Sequence, residues 1–303
     1  MFLCEGLAPS GREGTSFERL VRRLSETFVV RDVMVPLNEI KPVKPGALQR
    51  ATEIIKTDRY SVVPVSDDGK TFYSVFCADH ESEGSGSIAK EREVVVSDHI
   101  ADSTSLPEAF LLFGDREWYL TLHANRVSGL ITYWAFNSRE FRVYLYTGLS
   151  RVEELSRDLL ARDGCGITNG NGLNLTPEAL EKIQRRIGPM WRDNGGNRFV
   201  DELDYYQIAS ALRKHQPWRK FLIDKLGGDI SNCEYSRRFD FTDLRDSVMH
   251  GRTLFPTYNE FVSSSVKIRK IGELIIYLDA YLAKPPERTL LMPVDSDTTP
   301  TSV

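Results

Sequence analysis

Cysteine and histidine are scarce in this 303-residue chain, with four of one and five of the other. Cys4, Cys77, Cys165 and Cys233 form no C-x-x-C pair, and the histidines are scattered along the chain. This pattern argues against a zinc site and against a disulfide framework, and it fits inert thiols in a reducing compartment. Long apolar runs are missing as well: no stretch approaches the roughly 20 residues a membrane span needs. The start, "MFLCEGLAPSGREG", lacks a basic segment followed by an apolar run, so a secretion signal is not expected and the reading is a cytoplasmic protein. A basic excess is absent too. Lys plus Arg number 39 against 43 Asp plus Glu, a net charge of −4, so nucleic-acid contact would depend on a local patch.

What is present divides unevenly. Residues 1–27 read as a segment with one helix, "FERLVRRLSETF". Over 28–137, "FVVRDVMVP" and "YSVVPVSDDGKTFYSVF" are β-branched and aromatic runs, the second broken by the turn signal "DDGK". Between them "PGALQRATEIIKTD" predicts a helix with Ala51, Ile54 and Ile55 on one face. "ESEGSGSIAKERE", residues 81–93, reads as a loop. The order then repeats: a helix from about Leu106, then strands "EWYLTLH" and "RVSGLITYW". Two copies of one small α/β unit are expected.

Past Asn137 strand signals nearly vanish. Residues 140–284 predict an all-α bundle. Its helices include one with Val152, Leu155 and Leu159, one capped by Thr176 with Pro177 in its first turn, and one using Leu203, Tyr206 and Leu212. A helix capped by Thr242 follows. A long closing helix then buries Ile268, Ile271, Leu274, Ile275 and Leu278. Residues 285–303 read as a disordered tail. The fold class is therefore α+β, tandem α/β repeats followed by a helical bundle.

The late stretch "LRDSVMHG", residues 244–251, carries the chemistry. On a helix with Arg245 at 0°, Asp246 lies at about 100° and His250 at about 140°, while Leu244 and Val248 turn the other way at about −100° and −60°. Arginine offers a planar fork to phosphate, and histidine moves protons near neutral pH. Asp246 and His250, an i,i+4 pair, are close enough for the acid to orient the imidazole. Such a set activates a ribose 2′-hydroxyl against its own phosphate without a metal. A second copy across a two-fold axis would supply the groups a single pair lacks. Arg237, Arg238 and Arg252 flank the motif, and "RKHQPWRKF" adds Arg213, Lys214, Arg219 and Lys220 around Trp218, a pattern suited to an RNA backbone. The same arginines also suit the wet face of an ordinary amphipathic helix.

Two resemblances extend this reading. "VRDVMVP", "YSVVPVSDDGK" and "VSGLIT" resemble the paired CBS domains, modules that commonly bind adenine nucleotides. That resemblance implies an AMP- or ATP-like regulatory ligand. It points to Gly129 and Thr132 in the second repeat and Asp79 in the first, with Ala135 standing where an acid is expected. The same strands also suit a pair that binds nothing and serves only to dimerise. Arg245, Asp246 and His250 in an all-α setting resemble the signature of the HEPN superfamily, many of whose members are metal-independent ribonucleases working as dimers. The joint implication is a ligand-regulated homodimeric endoribonuclease, an architecture suited to a toxin or phage-defence protein. The alternative is a non-catalytic RNA- or protein-binding regulatory module.

Overall fold

The computed structural model describes residues 16–58, 62–78, 89–114, 116–164, 175–187 and 200–285. The expectations for residues 1–15, for Asp79 and for the tail beyond residue 285 lie outside the described residues. The chain runs α1 (Ser16–Thr27), β1 (Val35–Pro36), α2 (Leu48–Asp58), β2 (Val62–Val65), β3 (Ser74–Ala78), β4 (Ala89–Glu93), β5 (His99–Ala101), α3 (Leu106–Leu112), β6 (Trp118–His123) and β7 (Arg126–Thr132). Helices follow: α4 (Arg139–Arg162), α5 (Pro177–Ile187), α6 (Tyr205–Lys214), α7 (Gln216–Leu226), α8 (Asn232–Phe239), α9 (Thr242–Met249) and α10 (Tyr258–Leu282).

The duplication is visible in the strand pairing. Ahead of α2, Val43 bridges Val65 in parallel; ahead of α3, β5 pairs β6 in parallel. After each helix comes an antiparallel hairpin, β2–β3 and β6–β7. Asp68 makes the first hairpin turn by accepting from the Lys70 and Thr71 amides at 2.8 and 2.7 Å. Ala124 and Asn125, both at positive φ, make the second, the two-residue turn that matches strand twist. The two units also exchange a strand. β1 precedes the first unit but pairs with β7, giving the sheet order β1-β7-β6-β5 beside β2-β3-β4.

Two expectations change here. "FVVRDVMVP" is mostly not a strand. The Asp32 carboxylate accepts from the Val29 amide at 3.0 Å, and the Val33 and Met34 amides return to the Val30 carbonyl, so the chain turns before β1 begins. The polar stretch expected as a loop contains β4, "AKERE", paired along β3. As an edge strand with charged side chains it carries no apolar alternation to betray it.

The first unit has its own small core of Val43, Ala51, Ile54, Ile55, Val63, Val65 and Phe76. Val62, Phe72 and Val75 meet Trp118, Leu120 and Leu130 between the sheets. The second unit shares one continuous core with the helices. Phe110 of α3, fully buried, stacks on Phe141 of α4 at 4.9 Å and meets Phe261 of α10 edge-on at 5.4 Å. Asn137 ties the junction, accepting from the Leu254 and Phe255 amides at 2.7 and 2.9 Å and donating to the Phe255 carbonyl.

Among the helices, α4 and α10 pack lengthwise, with Val152, Leu155 and Leu159 facing Ile268, Ile271 and Ile275 within the core. Thr176 caps α5 as expected. Tyr206 does not point inward. The helix starts at Tyr205, where Asp204 and Gln207 form a capping box, and this phase buries Tyr205 and leaves Tyr206 62% exposed. Thr242 is the first helical residue of α9 rather than its cap; the Asp240 carboxylate accepts from its amide and hydroxyl at 3.1 and 2.6 Å. No helix among the described residues is long and apolar enough to cross a membrane.

Asp163 pins three helix ends. Its carboxylate accepts from His215 Nε2 at 2.8 Å, the Tyr281 hydroxyl at 2.6 Å and Arg162 Nε at 2.9 Å. Burial opposes its charge, but hydrogen bonds from His215, Tyr281 and Arg162 prevail and hold its pKa at about 2, below the ordinary 3.8. The folded-state value is depressed, so the carboxylate stabilises the fold above pH 4 and that contribution is lost as pH falls towards 2. A shift of this size corresponds to about 2 kcal/mol. Asp163→Asn is expected to lower the melting temperature at pH 7 and to flatten the loss of stability between pH 4 and 2. A variant melting like the parent at pH 7 would contradict this.

Candidate functional site

The motif helix presents its residues much as the wheel requires. Val248 is buried and Leu244 half-buried against the core, while Arg245 and Asp246 are partly exposed and Met249 and His250 exposed. Arg245 is steadied from below. Its guanidinium lies 3.8 Å from the Glu153 carboxylate on α4 and 3.7 Å from Asp246. Glu153 is itself held by Arg157 at 2.7 Å. Behind them the Tyr205 hydroxyl is buried, which pushes its pKa up and keeps it neutral.

His250 stands just past the last turn as the C-cap residue, its amide donating to the Asp246 carbonyl at 2.9 Å. The imidazole has no hydrogen-bond or ion-pair partner among the described residues. The Asp246 carboxylate is turned towards Arg245 instead, so the structure does not bring acid and imidazole together. The flanking basic residues divide. Arg237, Arg252, Lys214 and Lys220 are exposed and Arg238 partly so. Arg213 is spent on Ser236 at 3.0 Å, and Arg219 on Asn232 and the Ile230 carbonyl. Trp218 is fully buried with its indole N–H on the Tyr235 hydroxyl, so it belongs to the core and offers no stacking face to RNA.

Between the α/β pair and the start of α10 lies a cleft of about 520 Å³, lined by Cys77, Lys90, Glu91, Arg92, Arg116, Glu117, Trp118 and Tyr258. Its electrostatics are organised by Asp98, which is wholly buried and paired with Arg92 at 2.9 Å and with Arg116. Arg92 also lies over the Trp118 ring at 5.5 Å. One buried carboxylate thus fixes two guanidiniums at the cleft wall. Burial pushes the Cys77 thiol up, keeping it protonated.

Of the residues expected to bind a ligand, Thr132 ends β7 paired with Trp118 and so borders this cleft without lining it. Gly129 has a structural reason of its own. A Cβ there would sit 2.4 Å from the Val35 carbonyl oxygen, so glycine is what lets β1 lie against β7. Sequence reasoning missed Lys90, Arg92, Arg116, Glu117 and Tyr258, which come from a strand read as loop, a strand's leading edge and a different half of the chain. Among the described residues, no group of three or more His, Cys, Asp or Glu is placed to hold a metal ion.

No protein-family model and no curated protein matches the chain. Several solved structures are similar to part of it, two of which are the following. One is CBSX2 in complex with AMP, at 20% identity and a TM-score of 0.27, over 35% of this chain and 90% of that one. The other is the CBS domain of a bacterial CNNM/CorC family Mg2+ transporter in complex with ATP, at 16% identity and a TM-score of 0.30, over 39% of this chain and 90% of that one. Likeness at this level leaves the ligand and the activity to be argued from the residues themselves.

Proposed function

We propose that this chain is a nucleotide-regulated, metal-independent endoribonuclease acting as a cytoplasmic homodimer, in which a CBS-type α/β pair is the sensor and a HEPN-like helical half the effector. The observation that carries the reading is an arginine braced by Glu153 followed, five residues on at the C-cap of the same helix, by an exposed histidine with no hydrogen-bond or ion-pair partner among the described residues.

In the reaction His250 takes the proton of a ribose 2′-hydroxyl. The 2′-oxygen attacks the adjacent phosphorus, the P–O5′ bond breaks, and the 5′-oxygen leaves with a proton donated by the imidazolium of the second motif copy. Arg245 stabilises the charge that builds on the phosphoryl oxygens. One Arg–His pair is too sparse to do all of this, so a second motif helix across a two-fold axis completes the site. Arg237, Arg238 and Arg252 hold the backbone. At the sensor, Arg92 and Arg116 take the phosphates of an adenine nucleotide. Glu117 supplies the carboxylate for ribose hydroxyls that Ala135 lacks; its backbone carbonyl accepts from the Tyr133 amide at 3.0 Å.

Incubation with RNA in EDTA tests the effector. Expected products carry a 2′,3′-cyclic phosphate and a 5′-hydroxyl; RNA bound but left uncut would favour the non-catalytic binding module. Thermal shift tests the sensor. AMP or ATP at 100 times its Kd is expected to add about 2.7 kcal/mol to stability. Lys90→Glu, an exposed change, is expected to weaken that binding by about tenfold through loss of one charge-assisted contact. No shift at millimolar nucleotide would favour a pair that serves only to dimerise.

A further inference from the structure

The cleft has a wall that the two α/β units do not supply. Tyr258, the first residue of α10, lines it together with Arg92, Arg116 and Trp118. The Thr257–Glu260 capping box fixes that helix start, with the Glu260 amide donating to the Thr257 hydroxyl at 3.2 Å and the Thr257 amide to the Glu260 carboxylate at 3.0 Å. The Tyr258 ring stacks on Phe261 at 6.1 Å and meets Tyr133, just after β7, at 5.6 Å. Phe261 is fully buried among Phe110 and Phe136. Helix α10 then lies along α4, the helix that bears Glu153 beneath Arg245 and against which α9 packs. Tyr258 thus lines the cleft and stacks within α10, the helix that lies along α4.

We propose that Tyr258 reads occupancy of the cleft for the helical half. The nucleotide base stacks on its ring, and this contact holds the first turn of α10 in one position. The proposal rests on the nucleotide reading of the cleft and not on the ribonuclease reading. The physical requirement is differential affinity: a ligand shifts the helices only if it contacts something whose position differs between states. Tyr258 is such a contact, because it brings the first turn of the helical half's α10 into the lining of the cleft. A flat aromatic face beside anchored guanidiniums suits a base joined to phosphate, and stacking of a base on an aromatic side chain is worth roughly fivefold to 150-fold in affinity.

The test uses the full chain and ATP, with calorimetry for affinity and amide hydrogen exchange for transmission. In the parent, ATP is expected to slow exchange in the first turn of α10 and in α9. Tyr258→Phe keeps the ring and is expected to retain both effects. Tyr258→Leu fills the space against Phe261 without a ring, so it is expected to lose at least about fivefold in ATP affinity and, at saturating ATP, the protection of α9. Tyr258→Ala should do the same. If the Leu and Ala variants bind ATP as tightly as the parent and protect α9 equally, Tyr258 is not the reader, while the nucleotide reading stands. If the parent binds no ATP, AMP or ADP, the nucleotide reading fails and this proposal fails with it. Absence of RNA cleavage leaves both exchange and affinity readouts intact.

Discussion

Replacing His250 with alanine is expected to lower RNA cleavage by about 10²–10⁴-fold, the usual contribution of a positioned general acid or base. The melting temperature should stay within a degree or two, because the imidazole is exposed and makes no hydrogen bond or ion pair with a described residue, and surface changes of this kind fall within about 0.5 kcal/mol. Arg245→Ala is expected to cut as poorly and also to retain RNA less well. It should cost more stability, since it leaves Glu153 with one counter-charge fewer. Arg245→Lys is expected to rescue little, because a point charge does not replace a planar fork. Mixing the two alanine variants probes the composite site. Mixed dimers regain activity if each site takes arginine from one chain and histidine from the other. A His250→Ala preparation that cuts like the parent would assign the activity elsewhere.

The largest effect on stability is expected at Phe110. Its ring is wholly buried where the second α/β unit meets the helices, with Phe136, Phe141 and Phe261 around it at 4.9 to 5.4 Å. Phe110→Ala removes those contacts and leaves a cavity among residues from four elements that cannot all collapse into it, at a cost of about 3–5 kcal/mol. For a chain of this size that is on the order of 10 °C in melting temperature. Because the core is continuous, the second unit and the helices should lose stability together. Loss of stability in the α/β strands alone, with the helices melting as in the parent, would contradict the shared core.

That shared core marks where the sequence stops being legible. Periodicity places Ala51, Ile54 and Ile55 inward on α2, and Ile268 to Leu278 inward on α10, and they are buried there. It also separates the strand-rich half from the helical half, but periodicity describes one element at a time and says nothing of which elements share a core. The exchange of β1 onto β7 is silent for the same reason, and Gly129, read as part of a ligand motif, turns out to be the residue that permits it. In "YYQIASALRK" a shift of one residue decides whether Tyr205 or Tyr206 is inside; the Asp204 cap sets it, a local hydrogen bond that periodicity averages over. At the motif the spacing of Arg245 and His250 is legible because both lie on one helix. Glu153 is not, since it comes from a helix some 90 positions earlier. The cleft is the extreme case: Lys90, Arg116 and Tyr258 have no spacing in common.

The central claim is that one chain joins a nucleotide cleft to an Arg–His cutting site. Its most direct test is the rate of RNA cleavage by the parent protein in EDTA as ATP or AMP is titrated. The expected result is a rate that changes several-fold with a midpoint equal to the nucleotide's Kd from thermal shift, and no cleavage at any nucleotide concentration from His250→Ala. A cleavage rate that is the same with the cleft empty and saturated, or that survives loss of His250, would contradict it.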